Sequence, residues 1–144
     1  MTKYCSKSSY GYNGFTDTKT TLDPEDDVAH VKWGGKWRIP TKTEMDELTN
    51  ADNCTWEWIT QNGVNGCLVT SKKTGYEGAS IFMPASGYRS GMSLGDVGTC
   101  CYYWSSSFDT DTSNNAWDLY LISFTRYTGS GNRYYGLVVR PVCP

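Results

Sequence analysis

Apolar positions change their period near residue 50. Before that point they recur three or four residues apart between polar runs, the spacing of amphipathic helices. After it they come in short bursts separated by Gly, Asn and Ser, the spacing of strands and turns. Residues 1–22 precede both patterns; rich in Ser, Thr, Tyr and Gly, they read as an irregular N-terminal arm with room for one short strand. Leu22-Asp23-Pro24-Glu25-Asp26-Asp27 is a helix start, with Asp23 as cap, Pro24 at the first helical position and the acids at the positive end of the dipole. Val28, Ala29, Val31 and Lys32 continue this helix, and Gly34-Gly35 stops it. Trp37-Arg38-Ile39 reads as a short strand ended by Pro40. Thr41-Lys42-Thr43-Glu44 matches a capping box, and Met45 and Leu48 share one face of a second helix over roughly 42–50.

The β half begins at Cys54. Thr55–Thr60 is a strand, Gln61–Gly66 supplies turn chemistry, and Cys67–Thr70 returns. Lys72–Gly75 turns again before a strand over Ala79–Pro84. A Gly- and Ser-rich loop through Gly98 leads to Tyr102–Ser106, and the last two strands are expected at Ala116–Phe124 and Tyr135–Val142. Helices first and antiparallel strands afterwards, with no repeat and no linker, define a single α+β domain over 1–144.

Composition narrows the function classes. Thirteen Lys+Arg against fifteen Asp+Glu leave a net charge of -2, which offers no electrostatic footprint for nucleic acid or an anionic membrane. No apolar run approaches the roughly 20 residues that span a bilayer. Eleven Tyr and six Trp, against only four Phe, suggest a contact surface as well as a core, because both combine apolar area with a polar handle. A single histidine, His30, removes most imidazole catalysis, and without any C-x-x-C it argues against zinc. Six cysteines (Cys5, Cys54, Cys67, Cys100, Cys101, Cys143) permit either three disulfides or buried free thiols, and both stay open. The N-terminal Met-Thr-Lys-Tyr-Cys-Ser lacks the apolar stretch of a secretory signal.

Several fragments carry a family resemblance in this order: Trp33–Thr41, Trp56-Glu57-Trp58, Pro84–Arg89, Tyr103–Ser107 and Val139–Val142. Together they resemble the Fibrobacter succinogenes major paralogous domain, which is similar to the formylglycine-generating-enzyme branch of C-type lectin-like folds. The resemblance covers nearly the whole chain and implies a C-type lectin-like fold with two helices, antiparallel sheets and long irregular loops. Such domains usually begin several tens of residues earlier, so a missing N-terminal strand or a compact version is expected. Within that branch the chain looks most like the variable proteins of diversity-generating retroelements, found in gut Bacteroidales and their phages. There, corrupted adenines turn template Asn codons into many residue types, and residues 114–136 look like such a variable region.

The resemblance assigns ligand-binding variability to Asp118, Tyr120, Ile122, Phe124, Thr125, Tyr127, Gly129, Ser130, Gly131, Asn132, Tyr134 and Tyr135. Each is reachable from an Asn codon ending in C. Lys, Glu, Gln, Met and Trp are not, and none occurs after Trp117. The residues agree independently. On a strand over Ala116–Phe124, Asp118, Tyr120, Ile122 and Phe124 share one face, while Trp117, Leu119 and Leu121 make a core face. Ten of residues 118–136 are Tyr, Ser, Gly or Asn, the composition of antibody contact loops. The plain alternative is a Tyr-rich hairpin buried on both sides.

Other motifs have simpler readings. Vicinal Cys100-Cys101 departs from the reactive pair of formylglycine-generating enzymes and has no basic neighbour to lower a thiol pKa. His30 reads as a partly buried helix residue. Asp109–Asn114 superficially resembles a calcium loop but lacks the turn Gly and distal Glu, so an Asx-stapled turn fits better. The acids at 23–27 suit a helix start better than a metal. Arg126 and Arg133, two scattered cations, are weak evidence for nucleic acid, and Arg89 and Arg140 read as scaffold residues.

The expectation is a non-enzymatic receptor-binding display domain without a cofactor or metal, on a phage virion or a bacterial surface as an adhesin. Its partner would be a protein or glycan on a target cell, with self-association into a homo-oligomer left open. The alternative is an assembly module of a larger surface protein, using the same aromatic face as a subunit interface.

Overall fold

Asp27, four residues after the expected cap, starts the first helix. In the computed structural model, which describes residues 1–144, Pro24–Asp26 form a turn and helix α1 runs Val28–Trp33. The buried Asp27 carboxylate accepts from the amides of Ala29 (2.9 Å), His30 (3.2 Å) and, across the fold, Ile39 (2.8 Å). That third bond decides the choice of cap, since Asp27 ties the helix to the following segment and Asp23 does not. Gly34, at φ 66, ends the helix as expected. Helix α2, Lys42–Thr49, carries the full Thr41/Glu44 capping box. Arg38 clamps Glu44 through two bonds of 2.7 and 2.6 Å and holds its carboxyl down at about 2.

Three antiparallel sheets follow. The first joins β1 (Cys54–Gln61), β2 (Val64–Ser71) and β3 (Ser80–Pro84). Its first turn is only Asn62-Gly63, both at positive φ, so β2 begins three residues before Cys67. The Gly- and Ser-rich loop hides a second sheet, the hairpin β4 (Tyr88–Ser90) and β5 (Ser93–Gly95). The third joins β6 (Cys101–Phe108), β7 (Asn115–Leu121) and β8 (Arg126–Asn132).

Two expected strands do not form. Trp37–Ile39, hemmed between Gly35 and Pro40, contributes only a bridge from Arg38 to Val142. Tyr135–Val142 touches three partners in turn, with bridges from Gly136 to Arg89, Val138 to Tyr103 and Val142 to Arg38. The last strand is instead β8, within the stretch expected to be loop. β7 also stops at Leu121, and Ile122–Thr125 form the hairpin turn, closed by the Ile122 amide donating to the Thr125 carbonyl at 3.0 Å. Ile122 and Phe124 therefore do not share a strand face with Asp118 and Tyr120.

The core lies between the first and third sheets and includes Met45, Val69, Met83, Tyr103, Leu119 and Leu121. Leu119 and Leu121 are 1% exposed, as their strand face requires. Trp117 is only half-buried and lies outside this cluster; the Lys42 ammonium sits 4.8 Å from its ring. Helix α2 packs on the same face, where the Thr128 hydroxyl donates to Asp46 at 2.6 Å. All six cysteines are free thiols, and only Cys143 is exposed. The N-terminal arm is irregular, as expected, but bound: Tyr4 and Cys5 are buried, and Tyr4 stacks on Phe108 at 4.5 Å.

Candidate functional site

Strand register builds the site. Tyr102 of β6 pairs with Tyr120 of β7, and Tyr120 with Tyr127 of β8, so three tyrosines cross the third sheet on the face away from Leu119. Their rings stand 5.0 Å apart at both steps. The β4–β5 hairpin adds Tyr88, 5.6 Å from Tyr102 and 5.4 Å from Tyr135, and Tyr134 packs on Tyr135 at 4.5 Å. Six tyrosines thus form one continuous chain of ring contacts. A side chain at Gly95 would strike the Tyr88 ring, with a Cβ only 2.6 Å away, so that glycine seats the ring.

The next cross-strand row is Trp104, Asp118 and Gly129. It places Asp118 in a cleft of about 430 Å³ whose lining includes Tyr88, Tyr102, Tyr120, Tyr127 and Tyr135. Gly129 and Gly131 leave the carboxylate open to the cleft: a Cβ would come within 3.1 Å of Oδ1 from the former and 2.8 Å of Oδ2 from the latter. Asp118 is 6% exposed, a buried position where outward display was expected. The alternation is as read, but Asp118 is short and sits between the tyrosine row of Tyr120 and the row of Phe108, Ala116 and Gly131, with Trp104 beside it on β6.

The Asp118 carboxylate accepts no hydrogen bond and has no ion-pair partner in the protein. Burial alone pushes its pKa up to about 6. Asp96 faces the same cleft, and its carboxylate accepts from the Tyr102 hydroxyl at 3.3 Å. Burial also raises the Tyr102 and Tyr120 phenols, the latter to about 12, so both stay protonated. No Lys or Arg lines the cleft.

Seven of the twelve candidate positions meet here: Asp118, Tyr120, Tyr127, Gly129, Ser130, Gly131 and Tyr135. Three others, Ile122, Phe124 and Thr125, line a separate 140 Å³ cavity against Trp56 and Trp58. Arg126, stacked 3.6 Å over Trp56, pins that turn to β1. Asn132 accepts from Asn114 at 3.1 Å, and the Ser130 hydroxyl donates to Asp109 at 2.6 Å, which ties both to the preceding loop. Tyr134 is 68% exposed at the rim. Tyr88, Asp96, Tyr102 and Leu137 complete the cleft and were missed. Only Tyr102 left a signal, since pairing the Tyr102–Ser106 strand with β7 puts an aromatic opposite Tyr120.

The remaining motifs are occupied within the protein. Asp109 accepts from the amides of Asp111 (2.9 Å) and Thr112 (3.1 Å), an Asx turn. Lys3 pairs with Asp26 at 2.7 Å and Lys19 pairs with Asp23, so two lysines offset part of the charge of the four acids in the run. Arg133 donates to the carbonyls of Tyr4 and Ser113, and Arg89 to that of Gly91. Burial pushes the thiols of Cys54, Cys67 and Cys101 up, Cys101 to about 12, away from nucleophile chemistry. The largest cavity, about 480 Å³, lies between the arm and the third sheet and contains none of the candidate positions. No family model, curated protein or solved structure matches this chain. Fold and site define an α+β scaffold whose third sheet buries one face and opens a tyrosine-lined acidic cleft on the other.

Proposed function

We propose that this is a non-enzymatic display domain of the C-type lectin-like fold, in its formylglycine-generating-enzyme branch. Its surface over 114–136 would be diversified by a retroelement to bind receptors from a phage tail or a bacterial surface. The observation that carries the reading is the gathering of seven candidate positions in one cleft, on a sheet whose opposite face holds the core. Tyrosine suits such a surface because it offers large contact area at low entropy cost. The two helices and antiparallel sheets suit the fold.

The test is a library restricted to Asn-derived codons at Tyr120, Phe124, Tyr127, Tyr134 and Tyr135, panned against an immobilised protein. The reading predicts folded binders that differ only at those positions. A library with few folded members overturns it, as does sedimentation velocity showing an obligate oligomer that buries Tyr120 and Tyr134, which is the assembly-module outcome.

A further inference from the structure

Three buried or half-buried acids show how this protein treats a carboxylate. Asp27 receives three backbone N–H donors. Asp17 receives the amides of Tyr4 (2.6 Å) and Cys5 (2.9 Å). Asp118 is nearly as buried as Asp27, at 6% against 4% exposed, and receives none. A buried charge without donors is costly, and proteins keep such groups paired or hydrogen-bonded. The exception here lies in a cleft and is kept open by two glycines.

The surroundings specify the missing partner. Five tyrosines line the cleft, a second acid stands in it, and no cation balances them. Aromatic faces attract cations through the ring quadrupole, most strongly when water is excluded. The unmatched lone pairs on Asp118 call for N–H donors, which a primary ammonium or a guanidinium supplies and a quaternary ammonium does not. A cleft of about 430 Å³ accommodates a side chain with its alkyl stem.

We propose that the Asp118 cleft is a subsite for a basic side chain, lysine or arginine, projecting from a protein receptor. The carboxylate takes the N–H donors while Tyr120, Tyr127 and Tyr102 flank the stem and charge. This rests on the display reading and narrows it, selecting a protein receptor over a neutral glycan. Because Asp118 is itself a candidate variable position, the preference belongs to this version of the surface, and copies with another residue there would bind other chemistry.

The experiment uses the intact chain and amide-resolved NMR titration. The probes are Nα-acetyl-lysine methylamide, its arginine counterpart, the Nζ-trimethyl form and the neutral Nζ-acetyl form. For either N–H-bearing cation we expect saturable shifts confined to Asp118, Tyr120, Gly129 and Gly131, with Kd on the order of 1 mM for so small a probe. The stronger of the two identifies lysine or arginine. The trimethyl form should bind severalfold weaker and the acetyl form should give no saturable shift. Asp118→Asn should weaken binding at least tenfold. Gly131→Ala, which keeps the charge but crowds Oδ2, should do the same. Equal response to charged and neutral probes, shifts elsewhere, or undiminished binding by both variants overturns the subsite. If the probes fail while the codon-restricted library still yields binders, the subsite alone is wrong; if the library does not fold, the display reading falls with it.

Discussion

Two carboxylates titrate in opposite directions and give the chain opposite pH sensitivities. Asp118, raised from 3.8 to about 6 by burial, contributes stability that is full below the unfolded pKa and is lost as pH rises through 6. Asp118→Asn should therefore raise stability at pH 7.5 by on the order of 2 kcal/mol and flatten the profile between pH 4 and 6. The groups facing it are Asp96 and the cleft tyrosines, of which Tyr102 and Tyr120 are held protonated by burial, so Asp96→Asn is the control. Glu44, held at about 2 mainly by Arg38, contributes stability above its ordinary range that fades as pH falls from about 4.5 toward 2. Glu44→Gln should cost about 1 kcal/mol at pH 7, discounted for the exposure of the pair, and nothing near pH 2. Urea denaturation across pH reads both effects.

At the level of elements, the strongest sequence signals were those with a local mechanism. The Thr41/Glu44 box and the Gly34 stop need only neighbouring residues, and both stand where the sequence put them, while the Gln61–Gly66 turn narrows to Asn62-Gly63. Thr41→Ala should accordingly cost about 1 kcal/mol by thermal denaturation. Where partners lie far along the chain, legibility fell. Asp27 outcompetes Asp23 as cap through its bond to Ile39, which no local pattern records. β8 reads as loop because Gly129 and Gly131 are poor strand formers; pairing along β7 overrides propensity there. The candidate cleft was half legible for the same reason. Its β7 and β8 members fall in the 114–136 stretch that the resemblance singles out, whereas Tyr88 and Asp96 come from the Gly- and Ser-rich segment that hides the β4–β5 hairpin.

Over the whole molecule, the same sheet serves two surfaces, a buried one against Met83 and Met45 and an open one lined by tyrosine. The six free thiols follow this division, five inside and Cys143 outside. Native protein should react with one equivalent of a thiol reagent per chain and with six after denaturation; three or more fast-reacting native thiols would contradict the packing. The division also grades the candidate positions: Phe124, 84% exposed, and Tyr134, 68% exposed, tolerate change most readily.

The most direct test of a surface free to vary over an indifferent core compares two variants in urea. Combined replacement of Phe124, Tyr127 and Tyr134 by alanine should change unfolding stability by no more than about 1 kcal/mol, whereas Leu119→Ala alone should cost about 2–5 kcal/mol. A triple variant as destabilised as Leu119→Ala would place those aromatics in the framework and contradict the account.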